Sequence, residues 1–335
     1  MASSFENIMA DLKNRIYRPV YLLMGDEPYY IDLISDFIEA NILTETEKEF
    51  NQTILYGKDV KVPELISMAR RYPMMANYQV IIVREAQSID DIEEFAGYAE
   101  EPVKSTILVF CYKYGKVDKR KSFPKHVEKK GVLFESARIY DSKIPDWITR
   151  YVGEIGYKIT AKAGMMLLEF LGNDLSKIVN EIGKLSINIP RGGTITEDFI
   201  EKYIGISKDF NVFELQKALG SKDVFKANQI IWYFAANPRD NPLQKVIPLL
   251  YSYFSKVLVY HSLADKSRNN AASALSVNPY FIGDYQVAAR NYPLNRLTGV
   301  ISILREYDVK SKGVDSTQNT GDGELMKEMV YKILH

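Results

Sequence analysis

Five short apolar runs divide the first 142 residues of this chain, at positions 20–24 (VYLLM), 53–56, 79–83 (QVIIV), 106–111 (TILVFC) and 132–135. Between them lie stretches of helical period. Ile31, Leu33, Ile34, Phe37 and Ile38 recur at helical spacing, 62–71 carries Pro63 in a first turn where a missing N–H costs little, and Ser88 is expected to open a further helix as its N-cap. Strands that are apolar without alternation must be covered on both faces. A parallel sheet flanked by helices satisfies that requirement, so the expected fold is a doubly wound α/β domain.

From residue 143 the strand signal disappears. Helices are expected at 145–155, 161–171, 174–187 and 197–203, with joints at Gly156, Gly172-Asn173 and 190–193. Longer amphipathic helices are expected at 212–219, 223–235, 243–263, 295–309 and 323–334, and Pro248 should end or kink the third near its first turn. A chain of 335 residues is long for one core. The expected layout is an α/β domain over 1–142, a small helical domain over 143–207 and a larger helical domain over 208–335.

The formal net charge is zero, which argues against an autonomous DNA-binding protein. Charge is unevenly placed: residues 113–130 are basic and 90–101 acidic, as expected of solvated helix faces or loops. The single Cys111 excludes an internal disulfide framework and fits a reducing cytosol. With no signal-peptide core and no membrane-spanning apolar run, a cytoplasmic protein is expected.

The turn after the first run stands where a phosphate-binding loop would lie. Such a loop needs glycines to expose backbone N–H groups, a lysine for the terminal phosphates and a hydroxyl for Mg²⁺. Here it reads Gly25-Asp26-Glu27-Pro28, with no lysine or hydroxyl in place, a proline that removes a donor, and two carboxylates that repel a triphosphate. The run VIIV ends in Arg84-Glu85 rather than an acidic pair, and Glu85 is expected at the surface or in an ion pair. His126, His261 and His335 are too scattered for a zinc site. No catalytic residue, metal site or cofactor is expected.

A different feature lies at Tyr72-Pro73-Met74-Met75-Ala76-Asn77-Tyr78. Pro73 and Asn77 make it a surface turn. Two adjacent methionines there form either an adaptable apolar knob for a partner's pocket, or core filler with one side chain tucked under the sheet.

Several segments resemble the delta subunits of the bacterial DNA polymerase III clamp loader, in order and nearly end to end. They are VYLLMGDEPYYID, RYPMMANYQVIIVREA, GNDLSKIVNEIGKL (172–185), NVFEL (211–215), LSVNPYFIGDYQVAARNY and EYDVKSKG (306–313). The resemblance implies an AAA+-like module without an ATPase site, a small helical lid-like domain and a collar domain for oligomerisation. It also implies a subunit of the polymerase III holoenzyme with no activity of its own, which binds the beta sliding clamp and opens the ring for loading onto primed DNA. Its partners would be that clamp, the ATPase gamma/tau subunits, delta prime and, within the assembled loader, primer-template DNA; no membrane is implied. The family's clamp-binding wedge is a pair of apolar residues before a strand of the first domain, a place held here by Met74 and Met75, where the family often has leucine or an aromatic residue. Lys310 and Lys312 match a stretch near the DNA-facing chamber and are candidate phosphate contacts, as is, more weakly, the basic run around 116–121. The competing possibility is an ATPase-deficient AAA+-like scaffold of another complex. An enzyme with an unrecognised carboxylate or tyrosine site is more remote.

Overall fold

The computed structural model describes residues 4–205, 207, 209–313 and 321–335. The chain divides into two units, Met1–Ile139 and Tyr140–His335.

In the first unit five strands, β1 (Val20–Gly25), β2 (Gln52–Tyr56), β3 (Gln79–Arg84), β4 (Thr106–Lys113) and β5 (Val132–Ser136), form one sheet of order β2-β3-β4-β1-β5. Every neighbouring pair is parallel, with Val20 opposite Leu108 and Tyr21 opposite Val132. Successive side chains enter opposite cores. Val20, Leu22 and Met24, with Ile81, Val83, Leu108 and Phe110, face one. Tyr21 and Leu23, with Val80, Ile82, Val109 and Cys111, face the other. Both sides of each central strand are dry, which is why the strands read as continuous apolar runs.

The helices that cover these faces are α1 (Phe5–Lys13), α2 (Pro28–Asn41), α3 (Glu45–Asn51), α4 (Val62–Ala69), α5 (Ala96–Glu100) and α6 (Ser122–Lys130). Ile8 and Leu12 of α1 and Ile31, Ile34 and Ile38 of α2 pack on one face. Leu65 of α4, Tyr98 of α5 and Phe123 and Val127 of α6 pack on the other. There Phe95, Phe110 and Phe123 form an edge-on trio, with ring centroids 4.9 and 5.4 Å apart around Phe110. This is the expected doubly wound arrangement, a parallel sheet between two helical layers.

Ser88 does not open a helix. It ends a 3-10 turn, Ala86–Ser88, entered through Glu85 in the left-handed region at φ 52°, and the chain is extended at Ile89. The following 3-10 turn, Ile92–Phe95, is capped by Asp91, whose Oδ1 accepts from the Glu93 N–H at 3.0 Å. Glu93 in turn accepts from Phe123 N–H at 3.2 Å, so the acidic run caps the helix that the basic run forms.

The second unit begins with α7 (Ile144–Glu154), α8 (Ala161–Leu171), α9 (Leu175–Ile187) and α10 (Glu197–Ile204). The absence of strands beyond 143 needs correction: β6 (Lys158–Ile159) and β7 (Thr194–Ile195) form a parallel pair, each too short to leave a periodic signal. The chain continues through α11 (Val212–Ser221), α12 (Val224–Ala236), α13 (Leu243–Ser262), α14 (Arg268–Leu275), α15 (Ile282–Asn291), α16 (Leu294–Ser311) and α17 (Asp322–Leu334). Their starts follow local chemistry: Thr160, Asp174, Asn211 and Asp223 each accept from a backbone N–H three residues on. One apolar core spans α11 to α17, with Leu219, Phe234, Phe254, Tyr292, Tyr307 and Met329 inside it.

Pro248 neither ends nor breaks α13, which runs through it from Leu243 to Ser262. Pro248 and Gln244, whose carbonyl loses its partner, are both exposed, so water satisfies what the proline removes. Residue 208, the expected start of a third domain, lies outside the described residues. Among the described residues no helix is long and apolar enough to cross a membrane.

Candidate functional site

The turn after β1 places a carboxylate where a phosphate-binding loop would offer backbone N–H groups. Gly25 lies at φ 137°, and a Cβ there would fall 2.0 Å from the Ser136 carbonyl oxygen, so the strand end admits glycine only. Pro28 opens α2, and Glu27 is 5% exposed, with its Oε1 accepting from the Tyr29 N–H at 3.1 Å. A side-chain carboxylate therefore holds the helix N-terminus, where an anion would otherwise bind. Beside it Lys116 pairs with Glu135 at 2.6 Å and approaches Asp26 at 3.9 Å, and Lys119 also pairs with Glu135. These two ammonium groups, Lys116 first, hold the Glu135 carboxyl below its ordinary value. Arg120 is paired with Asp118 at 2.7 Å, so much of the basic stretch 116–121 is already neutralised within the fold.

Glu85 is exposed, and the Arg84 before it pairs with Glu39 at 2.7 Å and Asp36 at 3.3 Å. The position after β3 is thus a surface ion-pair cluster. Among the described residues no group of three or more His, Cys, Asp or Glu side chains could hold a metal ion. Burial pushes the Cys111 thiol up to about 11, an inert core cysteine.

The methionine turn connects α4 to β3 and projects from the sheet unit. Met75 is 100% exposed, Met74 55% and Tyr72 87%. Neither methionine fills the core. Met75 lies at φ 52°, in the left-handed region, a conformation that disfavours a residue with a side chain by about 1–2 kcal/mol. Something outside the turn must hold it there.

A buried amide does so, and a second fixes the base of the turn. Asn51, the last residue of α3, is 5% exposed; its Oδ1 accepts from the Met74 N–H at 2.6 Å and its Nδ2 donates to the Met74 carbonyl at 2.9 Å and to Glu47 O at 3.1 Å. Such bonds are worth roughly 0.5–1.5 kcal/mol each, enough together to offset the backbone strain at the next residue. At the other end Gln79 donates from Nε2 to Met68 O at 2.9 Å and to Thr106 Oγ1 at 3.1 Å, tying the end of α4 to the start of β3 and β4. Thr106 Oγ1 donates onward to Ala69 O at 2.8 Å. Tyr78 stacks edge-on against Tyr17, ring centroids 5.4 Å apart. An exposed apolar tip on a fixed base can bury itself in a pocket with little loss of backbone conformational entropy.

Sequence reasoning missed Asn51 and Gln79. Gln79 and Thr106 were visible as polar residues opening apolar strands, whereas Asn51 carries no local signal, its partner lying 23 residues away.

Residues 21–137 match the family model described as DNA polymerase III, delta subunit. Over that segment the chain is similar to the delta subunits of DNA polymerase III. A curated member, DNA polymerase III subunit delta of Bacillus subtilis (strain 168), is 23% identical over 318 residues, covering 91% of both chains. A solved structure, the Bacillus subtilis DNA clamp loader delta protein, superposes with a TM-score of 0.56 at 21% identity and covers 99% of each chain, a likeness of fold. The methionine turn lies inside the segment that matches this family model.

Lys310 and Lys312 lie at the C-terminal end of α16, remote in sequence from that segment. Lys310 pairs with Glu306 at 2.7 Å and lies 4.8 Å from the Tyr307 ring centre, and Lys312 pairs with Asp308 at 2.7 Å. Both ammonium groups are engaged one turn back on their own helix, so a phosphate would have to compete with a carboxylate for each.

Proposed function

We propose that this chain binds the beta sliding clamp with Met74 and Met75 and opens the ring for loading onto primed DNA. The observation that carries this reading is a fully exposed Met75, held at positive φ by hydrogen bonds to its neighbour Met74. Methionine is flexible and polarisable, suited to an apolar pocket that must be entered and left. Full burial of such a side chain contributes about 1.5–3 kcal/mol. If the pocket fits better when the clamp is strained at one interface, that difference biases the ring toward opening.

ATP acts elsewhere in this scheme. With a carboxylate at the phosphate turn, nucleotide is bound by the gamma/tau subunits, and their state governs whether the wedge is presented. The helical second unit serves as lid and collar, divided near residues 207–208, and joins this subunit to the ATPases and delta prime in the cytoplasm. Lys310 and Lys312 contact DNA phosphates only within the assembled loader, where the strand's charge density competes for them.

Binding of the purified chain to the clamp, without ATP, tests this. Met74→Ala with Met75→Ala should weaken it on the order of 100-fold. Strong binding untouched by the substitutions would move the contact elsewhere on the chain. No binding by the unsubstituted chain would leave a scaffold subunit of another complex.

A further inference from the structure

We propose that Asn51 is a positioning residue for the docking tip: its side-chain amide sets the conformation in which Met75 is presented, and so sets the affinity of the site without touching the partner. This rests on the clamp-docking reading of Met74 and Met75.

Asn51 is one of few buried polar side chains in the first unit, and its bonds are directed rather than incidental. Oδ1 and Nδ2 engage the N–H and the carbonyl of the same residue, Met74, at 2.6 and 2.9 Å. That is the two-point pairing a neighbouring strand would provide, applied to a single residue of a turn that has no strand beside it. Fixing both sides of Met74 dictates the direction in which the chain enters Met75, the one residue of the turn at positive φ. The base of Asn51 is itself rigid. It ends α3, a helix held by a reciprocal capping box between Thr44 and Glu47, and the same Glu47 supplies the carbonyl that takes the third Asn51 hydrogen bond. The grip thus passes from a capped helix, through one amide, to an exposed side chain.

Without that amide the turn relaxes toward ordinary negative φ at Met75, and only a fraction of molecules presents the tip. An apparent dissociation constant rises in inverse proportion to that fraction. If about one molecule in ten remains competent, binding weakens about tenfold.

The test is a double-mutant cycle on the full chain, with binding to the beta clamp as readout. Asn51→Ala and Asn51→Asp are each made in the unsubstituted chain and in the Met74→Ala, Met75→Ala background. Asn51→Asp keeps the acceptor for the Met74 N–H and loses the donor to its carbonyl. The expected result is about a tenfold loss for Asn51→Ala and a smaller one for Asn51→Asp. In the alanine background both should change binding less than twofold, because there is no tip left to position. Amide hydrogen exchange of the free chain should quicken at residues 74–76 in both Asn51 variants while the strands stay protected, which separates a released turn from an unfolded domain. Asn51 variants that bind like wild type, beside methionine variants that do not, would overturn the positioning role and leave the docking reading standing. Equal losses in both backgrounds would also overturn it, by assigning Asn51 to direct contact or to general stability. Methionine variants that bind like wild type would remove the docking reading, and this inference with it.

Discussion

Met75 combines a fully exposed side chain with a φ of 52°, so no burial of its own offsets its backbone strain. Met75→Gly removes the Cβ that disfavours this conformation, so the unfolding free energy from denaturant titration should hold or rise, by up to about 1 kcal/mol after glycine's extra unfolded-state entropy is set against the relief. The same change deletes the apolar tip, and clamp affinity should fall at least tenfold. Stability and binding moving in opposite directions at one residue is the mark of a conformation kept for contact. Glu169 offers a second case. Its Oε1 accepts from the Val212 N–H at 2.8 Å, at the start of α11, while its buried Oε2 has no well-formed hydrogen bond among the described residues. Burial pushes this carboxyl up to about 7, against the opposing Val212 hydrogen bond and the Lys245 charge. Between the ordinary glutamate value and about 7 the folded chain keeps a proton that the unfolded chain has released. Stability should therefore fall as pH rises across that window, by at most ~1.4 kcal/mol per unit, and level off above it. Glu169→Gln retains the acceptor for Val212 and should flatten that slope when urea midpoints are compared at about pH 5.5 and 7.5.

At the scale of elements, β1 and α13 carry unlike constraints. The end of β1 is closed to any side chain, since a Cβ on Gly25 would meet the backbone of β5. Gly25→Ala should destabilise the sheet unit by more than about 3 kcal/mol, seen as a lowered melting temperature and early proteolysis within residues 1–139. The constraint on α13 is slack. Pro248 lies on an exposed face, so Pro248→Ala restores a bond to the Gln244 carbonyl without disturbing the core. That variant should raise the stability of the helical unit by about 1–2 kcal/mol, read from its unfolding midpoint.

Each of the two units has buried apolar residues of its own, on the two faces of the sheet in the first and within the helices in the second. Urea unfolding of the whole molecule should depart from a two-state curve, with Gly25→Ala moving one transition and Pro248→Ala the other. The net charge is zero, and Lys310 and Lys312 are each paired on their own helix. The isolated chain should accordingly bind duplex DNA weakly, with a salt dependence corresponding to fewer than about two released counterions, as measured by titration at several ionic strengths.

The α/β architecture was legible in the residues because apolar continuity and helical period act over a handful of positions, the range at which burial imposes a pattern. The helix that opens after the Gly25-Asp26-Glu27-Pro28 turn was legible for the same reason, its proline and capping carboxylate lying within four residues. Proline likewise marked the methionine turn. Ser88 does not open a helix because a left-handed Glu85 precedes it, and Pro248 does not end α13, since it lies on an exposed face of that helix. The β6–β7 pair was too short for any period. Only the tertiary structure could bring Asn51 to Met74, Glu169 to Val212 and Gln79 to the end of α4, or decide that both methionines face outward. A side-chain amide reaches about 3 Å through space regardless of how many residues separate it from its partner along the chain, so such pairings leave no trace in local sequence.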